Sequence, residues 1–168
     1  MCMSIGQGKG EAMKAWYFSQ SSRRLRYGDN RRIKAGMSHR VKCIPILCTQ
    51  GLHGSVKIMD ALGYAPGNVV WRVRLSGDMV IGDDKVTATE RKYLWGYNAD
   101  KVLRHFARLC ALDVIDLWDA PDIVRRYLKT GDEGIRDAAG DAAWDAARAT
   151  ARAAQNKRLT RMILGGKP

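Results

Sequence analysis

The chain has 168 residues, 46% hydrophobic and 27% charged, with a net charge of +12. That is enough apolar content for a packed core, so a disordered chain is excluded, and no apolar run approaches the ~20 residues of a membrane span. Four cysteines without a C-x-x-C pair argue against a disulfide framework and fit a reducing cytosol, so a cytoplasmic protein with no membrane partner is expected.

Residues 1–12 are polar and glycine-rich and read as a flexible leader. The Gly6-Gln7-Gly8-Lys9-Gly10 run lacks the preceding strand that a phosphate loop needs. Lys14 to Phe18 predicts a short aromatic strand. Between Ser21 and Lys42 lie eight cations, Arg23, Arg24, Arg26, Arg31, Arg32, Lys34, Arg40 and Lys42, opposed only by Asp29. An island of this density on the surface attracts phosphate or an acidic protein face. Trp16, Tyr17, Tyr27 and Trp71 are interleaved with these bases, and Trp16 and Trp71 read as core-facing.

Val41 to Leu47 predicts an edge strand, with Cys43 and Cys48 as small buried hydrophobes. Their five-residue spacings to each other and to His53 are wider than structural zinc sites use, so no metal is expected. Gly51 to Gly54 predicts a turn, Ser55 a cap for a helix through Leu62, and Gly63 its stop. Val69 to Leu75 alternates: Val69, Trp71, Val73 and Leu75 face one way, and Arg72 and Arg74 the other, where they extend the basic surface. Turns at Ser76–Asp78 and Gly82–Asp84 separate this strand from Met79–Ile81 and from Val86–Trp95.

From Asn98 the pattern becomes helical, with Val102, Leu103, Phe106, Leu109 and Cys110 on one stripe. Pro121-Asp122 restarts a helix that Gly131 ends. The four-residue units at Asp137, Asp141 and Asp145 predict a last helix from about Asp132 to Met162, with Asp145 able to pair with Arg148. The predicted fold is α+β: a small mixed or antiparallel sheet with one short helix over residues 13–97, then about three helices over 98–164.

For chemistry, the turn at His53 and Ser55 stands out. A histidine can serve as donor or base near neutral pH, and a helix starting at Ser55 would offer free N–H groups to an anion. The plainer alternative is a tight strand-to-helix turn. Asp83 and Asp84 read as a turn with a local ion pair, and no hydrolase, zinc-protease or nucleotide-loop motif occurs.

The runs Met-Lys-Ala-Trp at 13–16, Leu-Cys-x-x-Gly-Leu-His-x-Ser at 47–55, Ala-Leu-Gly-Tyr-Ala-Pro-Gly at 61–67, Val-Arg-Leu-Ser-Gly at 73–77 and Gly-Asp-Asp-Lys at 82–85 resemble an uncharacterised domain family of phages and bacteria. The Asp-Ala-Ala-Trp-Asp-Ala-Ala-Arg tail is similar to immunity-protein helices. The resemblance covers about Met13 to Ile163. It implies a phage-related protein that blocks host defence in a bacterial cytoplasm, in the manner of an anti-CRISPR. A fainter resemblance, carried by Gly51–Ser55, Tyr64-Ala65 and Val69–Leu75, is to ADP-ribosyltransferases. It implies NAD as cofactor, with His53 and Ser55 against the dinucleotide and Glu90 as the candidate catalytic acid.

The sequence therefore favours a binding protein over an enzyme. The partner expected is nucleic acid or a nucleoprotein, engaged through Arg23–Lys42 with Arg72 and Arg74, and no cofactor is needed. The alternatives are the NAD-dependent transferase and an interaction protein acting through its helical tail.

Overall fold

The computed structural model of the protein describes residues 5–9 and 11–147. They fall into two compact units that divide between Asp100 and Lys101.

The first unit is built on two long neighbouring strands, β5 (Val69–Ile81) and β6 (Val86–Asn98), joined by a tight turn closed from Gly82 N–H to Lys85 O. Shorter strands pair along both edges. β1 (Ile5–Lys9) and β2 (Met13–Ser19) share the free edge of β5, and β3 (Ser38–Arg40) and β4 (Leu52–Gly54) share that of β6, all antiparallel. The two edges then meet. Trp16 N–H donates to Ser55 O at 2.7 Å and Ser55 N–H to Trp16 O at 2.9 Å, which closes β2–β5–β6–β4 into a small barrel. That bridge ties the β2 edge to the β4 edge, while β1 and β3 each pair with one neighbour only. Gly54 lets the strands approach closely here, since a Cβ would stand 3.2 Å from both Ala15 Cβ and Trp16 O.

Two bulges bend the long strands enough to close. Leu94 is the extra residue on β6 opposite the Arg72/Val73 step, and Gly77-Asp78 oppose Thr89 alone. Gly77 has φ +81, the left-handed conformation that such a bulge favours in glycine. The barrel interior holds Ala15, Leu52, Trp71, Val73, Leu75, Val86, Ala88 and Tyr93, all buried.

Several sequence expectations are corrected here. Residues 5–9 of the expected leader form β1, because the end of β5 beyond Leu75 would otherwise lack a partner on that edge. Val41–Leu47 is not a strand: Pro45 is buried in a loop that Ile46 and Gln50 pin by main-chain bonds, and Cys43 and Cys48 lie on this loop. Leu52–Gly54 is strand β4 rather than a turn. The helix α1 is Ile58–Gly63 with Lys57 at its N-cap, so Ser55 caps nothing. Ser76–Asp78 is a bulge within one continuous strand, not a turn between two. Trp16 is not a core residue, since Ala15 lies inside and Trp16 shares the outer face with Arg72.

In the second unit, α2 (Asp100–Asp113) follows Asn98, whose Oδ1 accepts from Asp100 N–H at 2.9 Å. A short 3-10 turn, Ile115–Leu117, precedes α3 (Asp122–Thr130). Asp122 at the start and Lys129 near the end of α3 suit its dipole. Gly131 at φ +68 ends the helix, its N–H on Tyr127 O. Asp132 then accepts from Gly134 N–H to cap a 3-10 turn, Glu133–Ile135, that leads into helical residues 136–147. The rest of the expected last helix, including the Asp145–Arg148 pair, lies outside the described residues. The architecture is α+β.

Candidate polyanion-binding site

The segment between β2 and β3 forms a hairpin-like loop. Leu25 N–H donates to Arg31 O at 2.9 Å and Ile33 N–H to Arg23 O at 2.8 Å, which sets Arg24 opposite Arg32. Leu25 and Ile33 are buried in the barrel core and anchor the loop. Gly36 and Met37 tie its return to Tyr93 by main-chain bonds at 2.7 and 2.8 Å. The tip turns through Tyr27, Gly28 and Asn30, all with positive φ. Two apolar residues therefore hold the loop down while every cation between them is left outside.

All eight cations of the island, Arg23, Arg24, Arg26, Arg31, Arg32, Lys34, Arg40 and Lys42, are exposed. Among the described residues, two carboxylates neutralise members of it. Asp29 takes Arg31 in a two-bonded pair at 2.6 and 2.7 Å, which lowers the Asp29 pKa, and Glu90 takes Arg40 at 3.2 Å. Arg24 donates to Asn30 O at 2.9 Å, and Arg26 lies over the ring of Tyr27, which is 93% exposed at the tip.

Arg23, Arg32 and Lys34 converge on one cavity of about 270 Å³, floored by Trp71 and Gly96. Trp71 is fixed there: its Nε1–H donates to Ser19 Oγ at 2.9 Å, and a Cβ on Gly96 would lie 2.3 Å from its Cε3. The Arg23 guanidinium sits 5.9 Å from the Trp71 ring centre. The three cations thus line one opening whose inner wall is the buried Trp71 ring, and they are what gives it an attraction for negative charge.

Arg72 and Arg74 lie apart from this opening. They point to the outer face of β5, where Arg72 stacks on the Trp16 ring at 4.5 Å. The sequence thus identified ten cations that occupy two surfaces, the loop and the outer sheet face.

The barrel interior carries a charge that sequence reasoning missed. Arg91 is 2% exposed. It donates from Nε and Nη2 to Tyr93 Oη at 2.9 and 2.7 Å and from Nη1 to His53 O, and lies 3.7 Å from the Tyr17 ring centre. Tyr93 Oη in turn meets His39 Nδ1 at 3.2 Å. With Oη accepting twice from Arg91, the hydroxyl proton of Tyr93 is the one directed to His39 Nδ1. Burial lowers the pKa of His39, helped by the charges of Arg31 and Arg91, and burial lowers that of His53, helped by Arg91 and Lys85. Burial raises the Tyr93 pKa, partly offset by Arg91.

His53, Ser55 and Glu90 are not brought together. His53 pairs with Thr87, and its Nε2 is buried without a hydrogen-bond partner. Ser55 is buried at the barrel closure. Glu90 lies three residues along β6 from Thr87, opposite Arg40 of β3, and its carboxylate holds Arg40. Among the described residues, no group of three or more His, Cys, Asp or Glu side chains is placed to hold a metal, and no helix is long and apolar enough to cross a membrane.

Comparisons with protein families, with curated proteins and with solved structures find no match.

Proposed function

We propose that the protein is a non-enzymatic binding module that takes the phosphates of nucleic acid, free or within a nucleoprotein, on the loop Arg23–Lys42. The observation that carries this reading is the convergence of Arg23, Arg32 and Lys34 on one cavity, without a carboxylate of the chain on any of the three among the described residues. The buried Leu25 and Ile33 pin the backbone that carries these cations and keep them on one surface, which lowers the ordering cost of meeting a phosphate. The resemblance to phage and bacterial domains adds a setting. A basic protein that occupies the nucleic-acid path of a host nucleoprotein in the bacterial cytoplasm blocks it, which is the action of an anti-CRISPR.

The test is the salt dependence of binding to a labelled oligonucleotide. Affinity falls steeply with salt, with a slope in log Kd of about 0.7 per phosphate neutralised on a single strand. Arg23→Gln with Arg32→Gln reduces that slope by roughly 1.4 and weakens binding about tenfold or more. A flat salt dependence, or an unchanged double variant, ends the reading.

A further inference from the structure

The outer face of the sheet carries a pattern that the cationic opening does not explain. Register across β2, β5 and β6 places residues in rows. Lys14, Arg74 and Lys92 form one row, and Trp16, Arg72 and Trp95 form the next. Beyond them Tyr97 lies opposite Val70. The bulge at Leu94 makes this possible: Lys92 and Trp95 are three apart on β6, and the extra residue returns both to the same face. Neighbouring strands stand about 4.8 Å apart, and successive rows on one face about 6.8 Å, so the aromatic row and the cationic row are adjacent.

The aromatic groups are ordered and open. Trp95 and Tyr97 are 46% and 47% exposed, and their rings stack at 6.3 Å with 20° between planes. Trp16 meets Trp95 edge-on at 5.8 Å and carries Arg72 on its face. Arg72 itself is half-buried, and its Nη1 is buried without a hydrogen-bond partner. Lys14, Arg74 and Lys92 are exposed.

We propose that this face is a stacking platform for single-stranded nucleic acid, with unpaired bases on Trp95 and Tyr97 and phosphates on the Lys14–Arg74–Lys92 row. The proposal rests on the nucleic-acid reading above and names the form of the ligand. Fixed aromatic rings beside a row of cations match a partner that alternates flat π-faces with negative charges. A duplex keeps its base faces inside the stack, where rings on a sheet surface cannot reach them. An apolar protein partner is disfavoured by three cations and Arg72 crossing the patch.

The experiment uses the full chain with a mixed-sequence single-stranded oligonucleotide and the matching duplex at one salt concentration. The single strand binds more tightly than the duplex and quenches tryptophan fluorescence. Trp95→Ala and Tyr97→Ala each weaken single-strand binding about tenfold and leave duplex binding unchanged, while Trp95→Phe retains most of it. Equal or tighter duplex binding overturns the platform. So does single-strand binding that survives both alanine variants but falls with Arg23→Gln and Arg32→Gln, and in that case the loop reading stands. If neither oligonucleotide binds, both ideas fall together. Should an alanine variant not fold, quenching in the unaltered protein and retention by Trp95→Phe decide the matter, and absence of quenching overturns the platform.

Discussion

The barrel and the helical unit use the same kind of sequence pattern to different ends. On β5, Trp71, Val73 and Leu75 alternate with polar neighbours, and all three are buried. On α2, Val102, Phe106 and Leu109 recur at helical spacing, and all three are substantially exposed, with no residue of that helix buried. Periodicity therefore reports which residues share a face, not whether anything covers it. The buried polar groups divide the same way: Ser19, His39, Ser55, Thr87 and Arg91, those found among the described residues, all belong to the barrel. The ion pairs described in the helical unit, Arg104 and Arg136 with Glu133 and Arg125 with Asp116, lie on its surface, whereas the barrel also holds a charge inside, at Arg91.

The sharpest way to break this comparison is a matched pair of truncations. Trp71→Ala removes a fully buried ring, its bond to Ser19 and the inner wall of the cationic opening, and costs about 3–5 kcal/mol. Val102→Ala, on the exposed stripe of α2, changes stability by about 0.5 kcal/mol or less. Chemical denaturation of the two variants measures both. A cost at Val102 comparable to that at Trp71 would mean that the α2 stripe is in fact a packed interface.

The contrast also marks what the sequence can yield. The alternation of β5 and the stop at Gly131 are local signals, and both were legible. Strand β4 was not, because Leu52-His53 between Gly51 and Gly54 looks like a turn. It extends only because β6 offers it hydrogen bonds and Gly54 leaves room against Ala15. The cationic island was visible as composition, but its convergence on one opening depends on Leu25 and Ile33 reaching the core, a long-range fact. The shared outer face of Lys92 and Trp95 was hidden by the bulge at Leu94, which breaks the two-residue period on β6 between them. Arg91 was invisible because nothing local distinguishes a buried arginine from a surface one.

That arginine gives a second prediction, which sharpens the barrel side of the comparison. Tyr93→Phe keeps the ring and removes the oxygen that accepts two N–H groups from Arg91. A buried charged donor is then left unsatisfied, at a cost of about 2–3 kcal/mol. Tyr97→Phe makes the same chemical change on the outer face, where water replaces the lost hydroxyl contacts, and leaves stability within about 0.5 kcal/mol. Equal effects of the two, read from denaturation midpoints, would show that the interior network around Arg91 is not built as described.

The smallest expected effect is on pH dependence, and its sign follows from the same interior. Burial and the Arg91 charge hold the pKa of both His39 and His53 below the ordinary value, with Arg31 adding to the first and Lys85 to the second, while Asp29 weakly opposes at His39. In the unfolded chain both imidazoles titrate near about 6.5. Above that pH they are neutral in both states and contribute nothing to the slope. As pH falls below it, the unfolded chain binds protons that the folded barrel refuses, so stability declines toward the depressed native pKa values and then levels. The Tm thus falls between pH 7.5 and pH 5, in a range where the Asp29–Arg31 pair is still ionised. His39→Gln and His53→Gln each flatten that slope, because the replacement cannot take up a proton in the unfolded state. A slope that stays the same in both variants would place its origin outside the barrel and would remove the claim that burial of these two imidazoles depresses their pKa values.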